Sequence, residues 1–155
     1  MARQRSFLSL ILVLLATFLI SCGNPTTAKA PPTYTTAQLE KIQEYVPNIL
    51  AVRDRASELQ QLIQTQQWIK VGNFIHGPMA EARLSMNYLS ANLLERDQTA
   101  ARKVARELFD DLVKIDSAAD TANKISALNN SEKAFADIDK FLKLLPQTTT
   151  QSQAS

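Results

Sequence analysis

One residue in this sequence has surroundings that dictate a covalent fate. It is Cys22, the only cysteine in 155 residues. Leu19, Ile20 and Ser21 precede it, closing a stretch that begins with Arg3 and Arg5 and continues as an apolar run from Phe7 to Ile20, broken only by Ser9 and Thr17. A basic start, a short apolar segment and a small residue before the cut make an export signal. Leu-Ile-Ser-Cys fits a bacterial lipobox, in which the thiol takes a diacylglyceryl group, the peptide is cut before the cysteine, and the new amino group can be acylated. Residues 1–21 then read as a lipoprotein signal peptide, and Cys22 as the lipidated first residue on the non-cytoplasmic side of a membrane. A spanning anchor fits less well, because about 14 apolar residues fall short of the ~20 that cross a bilayer. An ordinary signal peptide with an incidental cysteine is the remaining rival.

Elsewhere the residue types argue against catalysis. His76 is the only histidine, so with Cys22 lipidated the chain cannot build a Cys/His dyad or a zinc cage. No strained turn sets a serine beside that histidine, as a serine triad would need. Asp110, Asp111, Asp116, Asp120, Asp137 and Asp139 follow no calcium-loop spacing and read as solvated helix carboxylates. Haem fails a simple test. His76, Met79 and Met86 share one helical segment, whereas axial ligands come from opposite sides of the ring, and Cys-x-x-Cys-His is missing. The sequence thus predicts no enzyme, no cofactor and no metal, with His76 read as a local hydrogen-bonding residue or a contributor to a partner's metal.

Charge narrows the partners. Lysine and arginine total 17 against 15 acidic residues, and the excess of two is Arg3 and Arg5, both inside the signal peptide. The mature chain is formally neutral, so nothing points to nucleic acid. No second cysteine is available for a disulfide, so packing alone must hold the exported fold.

The elements that must carry any site are helices. Residues 22–34 are rich in proline and threonine and read as an extended tether; twelve such residues reach roughly 35 Å at ~3.1 Å each. Residues 147–155 are polar and read as a disordered tail. Between them, 35–146 should form the domain. Thr35 and Gln38 predict a capping box, with Tyr34 placed to staple onto Leu39. Leu39, Ile42, Val46, Ile49, Ala56, Leu59 and Ile63 mark the buried face of a first helix, kinked or broken at Pro47 and ending near Gln64. A second segment, Gln67 to Leu94, buries Ile75, Met79, Ala82, Met86, Leu89 and Leu93, and bends or breaks at Gly77-Pro78. Asp97 caps a third, with Ala101, Val104, Leu108, Leu112, Ile115 and Ala119 inside. A fourth starts between Asp120 and Ser131, carries Ile125, Leu128, Phe135, Ile138, Leu142 and Leu145, and stops at Pro146. Four amphipathic helices with short links predict an all-α, antiparallel up-down-up-down four-helix bundle.

The most specific stretch is Trp68, Gly72, Phe74, Ile75, His76, Gly77, Pro78 and Met79. With the lipobox, the proline-rich tether, Pro47 and the terminal Phe141-Leu142-Lys143-Leu144-Leu145-Pro146, it resembles the cyanobacterial PsbQ family, extrinsic lumenal subunits of photosystem II. The likeness spans the chain, and the lipid anchor sets it apart from plant relatives. It implies a thylakoid-lumen protein, anchored by its N-terminal lipid, that docks beside the oxygen-evolving centre on lumenal photosystem II subunits. It also implies support for calcium and chloride retention, with no enzymatic activity and no bound pigment. A rival from another class is a periplasmic helical-bundle lipoprotein binding a small ligand or metal, which would need polar inward positions.

Two regions are candidates for the partner. The Trp68 to Met79 region joins a large aromatic to a backbone break, with His76 at its edge; alternatively Trp68 caps the core and Gly77-Pro78 ends a helix. On the third helix, Arg102, Arg106, Phe109 and Val113 align on a stripe turned away from the Leu108 face. Arg102 and Arg106 are like charges one turn apart, and basic residues crowd the first half of a helix whose dipole disfavours them there. That is the composition of a docking face; the other reading packs Phe109 at the core edge and pairs the arginines with neighbouring carboxylates.

The lipobox yields a direct test. Two or three acyl chains anchor stably where a single chain binds only marginally. Cys22→Ala should therefore give an exported protein that salt washing releases from membranes, whereas the parent stays in the pellet. Equal retention of the two on fractionation would remove lipid as the anchor.

Overall fold

The computed structural model of the protein describes residues 32–146. The signal peptide, Cys22, most of the tether and the polar tail lie outside the described residues. Those described form α1 (Thr36–Arg53), α2 (Ala56–Gln64), α3 (Trp68–Phe74), a π-helical turn (Ile75–Met79), α4 (Ala80–Asn92), α5 (Glu95–Asp120) and α6 (Lys124–Lys143). These make four rods: α1 with α2, α3 through α4, α5, and α6. Each rod packs against the next and the fourth returns to the first, closing a four-helix bundle. Gln38 Nε2 donates to the carbonyl of Asn92 at 3.0 Å, and His76 Nε2 meets Asp116 Oδ1 at 3.0 Å. Each pair joins the start of one rod to the end of the next, a contact that antiparallel neighbours make.

The first rod begins as its sequence requires. Thr35 Oγ1 accepts from the Gln38 N–H at 3.3 Å, and Gln38 Oε1 accepts from the Thr35 N–H at 3.0 Å, closing the capping box. The helix then runs through Pro47 without the break that was one of the two expectations there. Proline there removes one bond to the carbonyl of Gln43, an exposed residue, where water can replace it. The break comes instead at Asp54–Arg55, where Arg55 N–H reaches the carbonyl of Val52 at 3.0 Å, one residue nearer than α-helical bonding.

The Gly77-Pro78 irregularity takes the form of a π-helical turn between α3 and α4. Ala80 N–H donates to the carbonyl of Ile75, five residues back, and the flanking Phe74 and Ala80 keep right-handed helical dihedrals. A widened turn absorbs the missing proline donor, and Ile75 and Met79 both stay buried.

Two other expectations are corrected. Asp97 does not cap α5: the helix starts at Glu95, and Asp97 sits in its first turn, where a carboxylate suits the dipole. There it accepts from the Tyr34 hydroxyl at 3.5 Å. Ile125 is not in the core, being 73% exposed in the first turn of α6. The inward stripe of α6 is Ala127, Ser131, Ala134, Ile138, Phe141 and Leu145, all buried, while Leu128 and Leu142 only flank it. Val104 likewise flanks α5, whose buried positions include Ala101, Ala105, Leu108, Leu112, Ile115, Ala118 and Ala119.

The α2–α3 and α5–α6 links are built alike. After α2, Gln66 N–H reaches the Ile63 carbonyl and Gln67 N–H the Leu62 carbonyl; after α5, Ala122 and Asn123 repeat this with Ala119 and Ala118. Both are Schellman closures, whose pivotal residue adopts the left-handed conformation that favours glycine. Here the pivots are Gln66 at φ 56° and Ala122 at φ 51°. Gly72, by contrast, lies inside α3, and a Cβ added to it would meet nothing within 4 Å. Exchanging these choices should stabilise the bundle twice. Ala122→Gly removes left-handed strain and Gly72→Ala restricts the unfolded chain, each gaining roughly 0.5–1 kcal/mol in urea unfolding. A loss of stability in either variant would contradict the local geometry.

Candidate functional site

At ~100° per residue, Arg102, Arg106, Phe109, Val113 and Asp116 fall within about 80° of arc on α5. This arc turns toward the second rod but is not filled by it. Phe109 is 43% exposed and Val113 51% exposed. Between α5 and the second rod lies an open groove of about 150 Å³, with Ile75 and Leu112 at its floor and Phe109 and Val113 along one side. Arg83 of α4 lays its guanidinium over the Phe109 ring, 4.6 Å from the centroid. At the opposite end, His76 and Asp116 close the groove with their 3.0 Å contact. The π-turn places His76 here, since it stands on that turn beside buried Ile75.

A shallower depression adjoins the first half of the helix, lined by Thr99, Arg102, Lys103 and Arg106. Arg102 Nη2 donates to Gln98 Oε1 at 2.8 Å, and Lys103 approaches Glu107 at 3.7 Å. Neither Arg102 nor Arg106 pairs with a carboxylate among the described residues, so the reading that neighbouring helices neutralise them does not hold. The structure thus brings His76, Phe109 and Val113 to one groove, with Arg102 and Arg106 beside it. Trp68 lies apart from both, half-buried at the start of α3 against the edge of the core.

Sequence reasoning missed Arg83 and Asp116. Asp116 follows Phe109 by seven residues and Val113 by three, so extending the stripe one turn would have found it. Arg83 belongs to another rod, and no local pattern links it to Phe109.

Comparison with known proteins bears directly on this chain. The sequence profile of PsbQ, described as oxygen evolving enhancer protein 3, matches residues 2–146. The chain belongs to the PsbQ family. A relative, CyanoQ of Synechocystis sp. (strain PCC 6803), is 41% identical over 150 residues, covering 96% of this chain and 100% of its own length. Membership in the PsbQ family places the chain among photosystem II extrinsic subunits of the thylakoid lumen. Among the described residues of this PsbQ-family bundle, no helix is long and apolar enough to cross a membrane. Nor do three or more His, Cys, Asp or Glu side chains gather as a metal site among them.

The same PsbQ-family helix carries a second polar feature on its other flank. Asp111 of α5 and Asp137 of α6 are both buried and line one depression with Glu107. Lys114 Nζ donates to Asp111 at 2.8 Å and Lys140 Nζ to Asp137 at 2.7 Å, each from one turn along its own helix. The Asp137–Lys140 pair is asymmetric. Burial pushes the Asp137 carboxyl above its usual range, its bond to Lys140 pulls it back only in part, and Asp111 and Glu107 push it further up. Lys140, with its head in water, is raised by its bond to Asp137.

The sign of the pH dependence follows. A carboxyl with a raised folded pKa holds its proton more tightly in the native state. Its burial penalty is absent below the unfolded value of 3.8 and complete above the raised folded value, so stability falls as pH rises through that window. Asp137→Asn removes the buried charge and strands no partner, since Lys140 is solvated. Unfolding in urea should show the variant more stable than the parent at pH 7, with the gap closing by pH 3.5. A constant gap, or a less stable variant at pH 7, would mean that Lys140 fully compensates the burial.

Proposed function

We propose that the protein is a non-enzymatic, lipid-anchored lumenal subunit that docks on photosystem II through the outward arc of α5. The observation that carries this reading is the un-neutralised pair Arg102 and Arg106 beside exposed Phe109 and Val113, in a chain whose family membership supplies the partner. Cations facing water on a rigid helix speed encounter with an acidic surface, and aromatic and arginine side chains supply much of the contact energy in protein interfaces. Cys22, in its lipobox context, is the residue through which the chain would be held at the thylakoid surface. Beside the oxygen-evolving centre, a docked bundle would cover the surface through which calcium and chloride escape and so slow their loss. That role needs shape and adhesion only. The buried positions are apolar apart from Ser85, Ser90, Asn130, Ser131 and the lysine-paired Asp111 and Asp137, and no fully buried side-chain nitrogen or oxygen among the described residues lacks a hydrogen-bond partner.

Charge reversal tests the docking arc. Arg102→Glu with Arg106→Glu should leave helix content and unfolding nearly unchanged, because both side chains are exposed and neither bridges to another helix. Binding to photosystem II membranes depleted of the protein should weaken about tenfold or more at low salt, with the difference shrinking as salt screens the charges. Unchanged affinity across the salt titration would take this arc out of the interface.

A further inference from the structure

We infer that the groove between the second rod and α5 accepts one phenyl- or leucine-sized side chain from an acidic segment of a protein partner. The inference rests on the docking reading above and specifies the chemistry of that contact. Size comes first. The groove holds about 150 Å³. An apolar cavity of ~150 Å³ is enough to take benzene. Its floor and sides are Ile75, Leu112, Phe109 and Val113, so an apolar guest loses no hydrogen bond on entering.

Charge then fixes the guest's neighbours and direction. Arg83 rests its flat face on Phe109 and makes no hydrogen bond or ion pair within the described residues, which leaves its N–H groups for an incoming carboxylate. Arg106 and Arg102 continue the cationic line toward the start of α5, while Asp116, held by His76, puts a carboxylate at the far end. An acidic segment therefore fits in one orientation, with its carboxylates over Arg102 and Arg106 and its apolar residue at Val113. Seven residues of helix separate Arg106 from Val113, a rise of ~10.5 Å, and eleven separate Arg102 from Val113, ~16.5 Å. At ~3.3 Å per residue, with side chains alternating between faces, an extended partner would carry carboxylates about four and six residues from its apolar side chain, the even spacings nearest those rises. A lipid surface suits the site less, because it offers uniform negative charge to a groove that ends in Asp116.

The probe is the peptide acetyl-Glu-Gly-Glu-Gly-Gly-Gly-Phe-amide, titrated into the purified full chain and followed by amide NMR shifts. The expected shifts cluster at Ile75 to Arg83 and at Arg102 to Asp116. Affinity should fall at least tenfold when the peptide's Phe becomes Ser or when the protein carries Val113→Asp. Arg83→Gln should weaken binding severalfold without altering the fold. Equal binding of a peptide with Lys for Glu, or shifts elsewhere on the bundle, would overturn the inference. So would preferential binding to phosphatidylglycerol vesicles that Val113→Asp abolishes. A competition assay separates this from the docking reading. If the protein binds depleted photosystem II membranes and saturating peptide does not displace it, the groove is not the contact, and docking stands. If the protein does not bind those membranes at all, docking fails, and the groove is judged on the peptide titration alone.

Discussion

The bundle depends on how closely α5 and α6 approach each other. With a single cysteine in the sequence, no disulfide can hold the rods, and their joining rests on packing with a few polar contacts between them. Ala101, Ala105, Ala118 and Ala119 on α5 and Ala127, Ser131 and Ala134 on α6 are buried, and this pair of helices makes the most extensive contact in the fold. Fully buried Leu108, Ile115, Ile138 and Phe141 fill the core beside these small residues. Close-packed interiors tolerate neither voids nor extra volume, so this seam fixes the rotation of α5 about its own axis.

That rotation distributes three tasks around one helix. The arc around Leu108, Leu112 and Ile115 faces the core. The flank carrying Glu107 and Asp111 meets Asp137 of α6 in a buried acidic seam. The opposite flank leaves Phe109, Val113 and the arginines in the open groove. Burying two carboxylates costs stability that an apolar pair would not.

Much of this was legible from residue spacing. The four rods, the Thr35–Gln38 capping box, the end at Pro146 and the outward stripe of α5 follow from apolar periodicity and local capping chemistry. Size and hydropathy do not mark the interior of α6 by themselves: Ile125 is large and exposed, whereas Ser131 and Ala134 are small and fully buried. At Pro47 the missing donor faces water, and the helix continues through it. The groove was half visible: Phe109 and Val113 share a helix, but Arg83 reaches them only through the tertiary fold, which no single-helix pattern encodes.

The join at the base of the bundle has a geometric consequence. Tyr34 and Gln38 bond to Asp97 and to the carbonyl of Asn92, so the chain enters the domain beside the turn from which α5 starts. From Asp97 to Val113, α5 rises ~24 Å at 1.5 Å per residue. The helix therefore acts as a ruler, setting the altitude of the groove above the point of entry. Deleting four residues from α5 would lower Phe109 and Val113 by ~6 Å and swing them by about 40°, leaving composition and charge almost untouched. Insertions before Thr35 lengthen the leash but cannot move that mark on the scale.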